Sequence, residues 1–221
     1  MRYRFQGFFK NAGGRYKRIR KCPKGKPPEE HYKLQTEKLA ELENMSQNGE
    51  IDLFYGDETH VCSEGYVPCG WQFPDEEVCY LTDKSYKFNC LGLINRQSQV
   101  HWQVTEQNID TGFVMEFLEK FSFDIKRTTF VVLDNARIHK AKAIRERIPY
   151  RQNRGLFLCF LPPYSPHLNI AETLWRKLKK EWLDPPDYLT KDNPAYALNR
   201  CMADMGTRLN IKFWHWKNNL N

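Results

Sequence analysis

A mixed α/β fold, one sheet with helices on both faces, follows from three observations on this sequence. Short strand-like runs crowd residues 51–105, close enough together for antiparallel pairing. Beyond residue 110, helix-like and strand-like segments alternate, as they do where crossover helices join parallel strands. Two of the later runs, TTFVVLD and GLFLCFLPP, are apolar almost throughout, which marks strands covered on both faces. The 221 residues suffice for one domain of ordinary size with an appendage.

The appendage is predicted at the front. Residues 1–26 carry ten Lys or Arg and no acid, in a chain of net charge +7, so the body is mildly acidic. An arm of this density suits a polyanion such as a nucleic-acid backbone, and a solvated terminus fits the charge alone equally well. Pro27 and Pro28 then oppose both helix and central strand, which divides the chain into an arm, 1–28, and a body, 29–221.

Glu29 and Glu30 open a helix through HYKLQTEKLAELENM, with Leu34, Leu39 and Leu42 on one face and Gly49 as its stop. IDLFYGDE reads as a strand ending in acids. GYVPCGWQF reads as a hairpin return with bends at Gly65 and Gly70, and YKFNCLGLI and QVHWQVTEQ as two further strands. GFVMEFLEKFSF is an amphipathic helix, since Phe113, Val114, Phe117 and Phe121 recur at helical spacing. A helix over ARIHKAKAIRERI follows the TTFVVLD strand. AETLWRKLKKEWL follows GLFLCFLPP as another, and PAYALNRCMADMGTRL is the last.

Several function classes are excluded. No stretch is long and apolar enough to span a bilayer, and the charged start does not read as a signal peptide. Seven irregularly spaced cysteines suit a cytoplasmic protein with reduced thiols, and Cys62 and Cys69 lack the partners of a zinc site. GxSxG, GxxxxGK and HExxH are all missing.

What remains is a set of acids. Asp57 follows an apolar strand run, Asp134 follows Val131, Val132 and Leu133, and Glu172 falls in the first turn of a helix behind a proline-stiffened segment. Each alone also suits a turn or a helix cap, and Asn169 with Glu172 three residues on has capping-box spacing. Together, at the ends of separate elements, they suit hard divalent cations such as Mg²⁺ or Mn²⁺ beside a phosphodiester. Arg176 and Lys179 follow Glu172 at i+4 and i+7, a row that fits either phosphates or a surface ion-pair pattern.

FYGDETH, VVLDNARIHKA and LPPYSPHLNIAETLW, taken in order, resemble the three catalytic blocks of the IS630/Tc1/mariner transposases, in the bacterial IS630 branch. RYKRIRKCPKG, GYVPCGW and the glycine of NCLGLI agree, so that the resemblance runs from about Arg15 to Phe213. It implies an RNase H-like fold in which Asp57, Asp134 and Glu172 form a DDE triad holding two Mg²⁺ ions, with Mn²⁺ able to substitute. It implies cleavage at transposon ends and joining to target DNA, commonly at TA, by a homodimer acting at the nucleoid of the cytoplasm. Asn135 and His139 match supporting positions, with His139 meeting metal-bound water or phosphate; a packed histidine fits that position as well. Arg15, Lys17, Arg18, Arg20 and Lys21 fall in the basic stretch behind the family's DNA-binding region. The chain therefore begins at the last piece of a helix-turn-helix region, and a separate upstream polypeptide could supply the rest. His167 stands where the family has an acid, and Ile170 and Ala171 replace its proline and isoleucine. The contrasting expectation is an inactive remnant that only binds DNA or the full-length enzyme. A different RNase H-like nuclease fits less well, given the third block and the basic arm.

Overall fold

The computed structural model describes residues 28–63, 86–188 and 190–213. The basic arm, with Arg15, Lys17, Arg18, Arg20 and Lys21, and the GYVPCGWQF segment lie outside the described residues.

Five strands form one mixed sheet in the order β3-β2-β1-β4-β5. They are β1 (Asp52–Cys62), β2 (Lys87–Ile94), β3 (Val100–Thr105), β4 (Thr129–Leu133) and β5 (Leu156–Phe160). β1, β2 and β3 pair antiparallel, whereas β4 joins the other edge of β1 in parallel and β5 joins β4 in parallel. The helices are α1 (Glu29–Gln47), α2 (Thr111–Asp124), α3 (Lys142–Glu146), α4 (Ile148–Asn153), α5 (Ala171–Lys177) and α6 (Asp192–Ala203).

Strand alternation divides the core in two. Leu53, Tyr55, Cys90, Ile94 and Val132 point to one face, where Leu39 of α1, Leu174 and Trp175 of α5 and Leu198 of α6 cover them. Phe54, Leu91, Leu93, Val131 and Leu133 point to the other, under Val114, Phe117 and Phe121 of α2 and Ile144 of α3. The expected sheet with helices on both faces is the one observed.

Four local expectations are corrected. β1 does not end at its acids but continues to Cys62, because β2 pairs with it from Tyr55 to Cys62. ARIHKAKAIRERI is not one helix: it forms a 3₁₀ turn over Arg137–Lys140, then α3, and Pro149 lies in the first turn of the separate α4. AETLWRKLKKEWL changes pitch after Lys177 and finishes as a π turn over Leu178–Trp182. Leu34 is 51% exposed, and the buried line of α1 runs through Thr36 and Leu39. Gly49 does follow α1 with φ of 76°, the left-handed conformation that stops a helix at low cost in glycine.

Candidate active site

β4 pairs with β1 only from Asp52 to Tyr55. Two residues on, Asp57 has lost its parallel neighbour and lines a cavity instead, although it lies mid-strand opposite Gly92 of β2. Its side chain leaves on the same face as Tyr55, toward α5. Asp134 is the first residue beyond β4, and Glu172 is the second residue of α5. The three carboxylates line one open cavity of about 180 Å³, together with Asn135, Asn169 and Tyr164.

Two asparagines hold the cavity walls together. Asn169 is buried, donates from Nδ2 to the Gly56 carbonyl at 3.0 Å, and accepts the Ala171 amide on Oδ1 at 3.0 Å. One side chain therefore caps α5 and fastens its start to β1 beside Asp57. Asn135 donates to the Leu161 carbonyl and accepts from Lys140, which ties the loop after β4 to the end of β5. Tyr164 sits at the cavity mouth with φ of 59°, a conformation that costs a non-glycine residue about 1–2 kcal/mol. Its ring is exposed.

Trp175, one turn beyond Glu172, seats α5 on the sheet. A Cβ added at Gly92 would lie 2.7 Å from Trp175 Cη2, so only glycine leaves room for the indole at that point of β2. The indole is buried and packs against the sheet rather than facing the cavity.

His139 is fully buried, with Nδ1 2.8 Å from Asp134 Oδ1 and Nε2 2.6 Å from Glu58 Oε1. Burial alone would lower its pKa. The hydrogen bonds and charges of Asp134 and Glu58 outweigh that and push it up to about 9, so the ring is an imidazolium at neutral pH. Asp134 is held below the usual carboxylate range, first by the His139 hydrogen bond and then, against burial, by the Ala136 amide at 2.8 Å. Asp57 moves the other way, to about 7, through burial and the negative charges of Glu172, Glu58 and Asp134. Of the acids on this cavity, then, Asp134 stays ionised while Asp57 is poised near neutrality.

Like charges crowded around one cavity favour a divalent cation, and an all-oxygen donor set suits a hard one. The side chains fit such an ion in chemistry. Their present arrangement is looser: among the described residues, no three His, Cys, Asp or Glu side chains converge closely enough to hold a metal.

The basic row expected on α5 divides. Lys179 is half-buried and lies within the field of Asp57 and Glu172, whose charges partly offset the fall in its pKa caused by burial. Arg176 is exposed and lines an adjoining groove of about 370 Å³ with Tyr55, Glu43 and His167. His167 Nε2 is 2.9 Å from the Tyr32 hydroxyl, which ties the third block to α1. Sequence reasoning gave no role to Glu58 or Tyr164, and saw Asn169 only as a cap. The adjacency of Glu58 to Asp57 was visible, but its partner lies 81 positions away.

The family described as DDE superfamily endonuclease matches residues 52–193. No curated protein matches this chain. Among solved structures, the chain is similar to the Mos1 transposase paired-end complex with left transposon end. That match has a TM-score of 0.58 and 14% identity over 90% of this chain and 62% of that one. The Mos1 Strand Transfer Complex matches with TM-score 0.57 and 16% identity, over 93% and 64%. The Mos1 mariner paired end complex with Mn matches with TM-score 0.57 and 14% identity, over 90% and 62%. At these identities the likeness is one of fold, and it agrees with the RNase H-like architecture expected from the sequence. The chain spans 62–64% of the length of these solved relatives.

Proposed function

We propose that this chain, which belongs to the DDE superfamily endonuclease family, is the catalytic part of a transposase of the IS630 branch. It cuts DNA at the ends of an insertion sequence and joins them to target DNA at a site built from Asp57, Asp134 and Glu172. The observation that carries this reading is the convergence on one cavity of three acids from β1, the loop after β4 and the start of α5.

In this reading the three carboxylates hold two Mg²⁺ ions, for which Mn²⁺ can substitute. When bound, the ions supply Lewis-acid activation of the attacking hydroxyl and neutralise charge at the leaving oxygen. The chain's own residues prepare the site. His139 keeps Asp134 ionised and oriented, Asn169 and Trp175 set Glu172 against β1, and Asn135 fixes the loop between them. Lys179 offers a positive charge to the scissile phosphate, and Arg176 takes a backbone phosphate in the adjoining groove. The arm, 1–28, with Arg15, Lys17, Arg18, Arg20 and Lys21, clamps DNA phosphates beside the catalytic body, 29–221. Such contacts position the duplex without reading its sequence. The active complex is a homodimer on paired ends in the nucleoid, with TA as target and an upstream helix-turn-helix polypeptide as the reader of the ends. The Mos1 structures that share the fold include complexes with a transposon end and with Mn, which supports this assignment of partner and ion.

Metal removal tests the proposal. Supercoiled plasmid is expected to be nicked in Mn²⁺ and left intact when EDTA is added. A chain that binds DNA but nicks in neither Mg²⁺ nor Mn²⁺, even with the upstream helix-turn-helix segment added back, is the binding-only remnant instead.

Deleting residues 1–26 is expected to flatten the dependence of DNA affinity on salt, by a slope of about 0.9 for each phosphate contact removed. An unchanged slope in the same titration means that the arm does not touch DNA.

A further inference from the structure

Glu58 stands outside the acid set of the cavity. It follows Asp57 on β1 and so leaves from the opposite face of the sheet. There its Oε1 lies 2.6 Å from His139 Nε2, while His139 Nδ1 lies 2.8 Å from Asp134 Oδ1. The imidazole between them is fully buried. From this chain of contacts we propose that Glu58 is a positioning residue that acts through His139 to set the orientation of the Asp134 carboxylate. The inference rests on the reading of Asp134 as a metal ligand.

The geometry supports it. Both ring nitrogens lie within hydrogen-bond distance of carboxyl oxygens on separate elements. A ring fastened at both nitrogens cannot rotate, and the Asp134 oxygen that it holds cannot turn away. That oxygen also receives the Ala136 amide at 2.8 Å, which leaves Oδ2 as the ligating atom. The two restraints differ in origin. Ala136 belongs to the loop that carries Asp134 and moves with it. Glu58 belongs to the central strand, next to Asp57, so its link registers the loop acid against the strand acid. Removing an outer partner of this kind typically lowers metal affinity or activity by about 10–100-fold.

The test is Mn²⁺ binding to the full metal-free chain, followed by calorimetry. Glu58→Ala is expected to weaken Mn²⁺ binding by about tenfold. Glu58→Gln returns an acceptor oxygen to the same place and is expected to bind Mn²⁺ within about threefold of wild type. His139→Asn keeps a donor toward Asp134 but cannot reach Glu58. It is expected to weaken binding by about tenfold by itself, and adding Glu58→Ala to it should change affinity by less than about twofold. His139→Asn alone carries the test if Glu58→Ala does not fold. The inference is overturned if Asp134→Asn loses Mn²⁺ while Glu58→Ala or His139→Asn binds it as wild type does. It is equally overturned if Glu58→Ala has its full effect in the His139→Asn background. Wild-type Mn²⁺ affinity in Asp134→Asn overturns the reading of Asp134 as a ligand, and this inference with it.

Discussion

Asp134→Asn is expected to lower plasmid cleavage by about 10³-fold or more, some 4 kcal/mol at the transition state, while the chain stays folded. Asparagine is nearly the same shape. Its Oδ1 can still accept the Ala136 amide and the His139 Nδ1–H, so the loop keeps its hydrogen bonds. What disappears is a negative charge, and that has two opposing effects on stability. Pairing with the His139 imidazolium is weakened, which costs stability. The Asp134 charge that helps raise Asp57 is also removed, which relieves repulsion in the cavity. The Asp134 side chain is about half exposed, so water screens both effects. The net change in unfolding free energy is expected to stay within about 1 kcal/mol. Glu172→Gln is expected to behave alike, since Glu172 is exposed. Cleavage rates measured with circular dichroism melts on the same samples decide the matter. A folded Asp134→Asn chain that nicks near the wild-type rate removes Asp134 from the site.

Gly92→Ala is expected to harm both stability and cleavage from a position outside the cavity. The new methyl group would sit 2.7 Å from Cη2 and 3.0 Å from Cζ2 of Trp175. The indole is a rigid body buried between β2 and α5, so the helix must lift from the sheet to make room. Overpacking of this kind costs about 1–3 kcal/mol. For a chain of this size each kcal/mol lowers Tm by about 2–4 °C. Lifting α5 also moves Glu172, one turn away, and a displacement near 1 Å can cost about 10²-fold in rate. Trp175→Phe withdraws the outer ring that makes the clash. Trp175 Nε1 has no hydrogen-bond partner among the described residues, so this change sacrifices none of their bonds. The double substitution should therefore recover much of the melting temperature, and additive losses in the two variants would show that the contact does not seat the helix.

Much of this architecture was legible because it is local. Short apolar, β-prone runs announced the strands, and helical spacing of Val114, Phe117 and Phe121 announced the buried face of α2. Errors arose where a distant partner overrides local preference. β1 outruns its apolar run because β2 pairs with the polar residues beyond Asp57. Leu34 looked like a core residue of α1, but the helix packs on the line of Thr36 and Leu39 instead. The segment after β4 has helical composition, yet its start is tethered through His139 to Asp134 and forms a tighter turn.

The sequence by itself determined the order of strands and helices, the basic arm as a unit of charge, and the three acid-bearing blocks. All of these are properties of neighbouring residues along the chain. Only the tertiary structure decided which acids meet. Strand order puts β4 beside β1, and the early end of that pairing leaves Asp57 open to the Asp134 loop. The Asn169 bond to Gly56 then brings Glu172 to the same cavity across 113 positions. Hydrogen bonds between segments so far apart depend on the registration of whole elements, which no local pattern encodes. For the same reason Glu58, an ordinary strand acid in the sequence, acquired a partner only when the sheet and the turn after β4 were brought together.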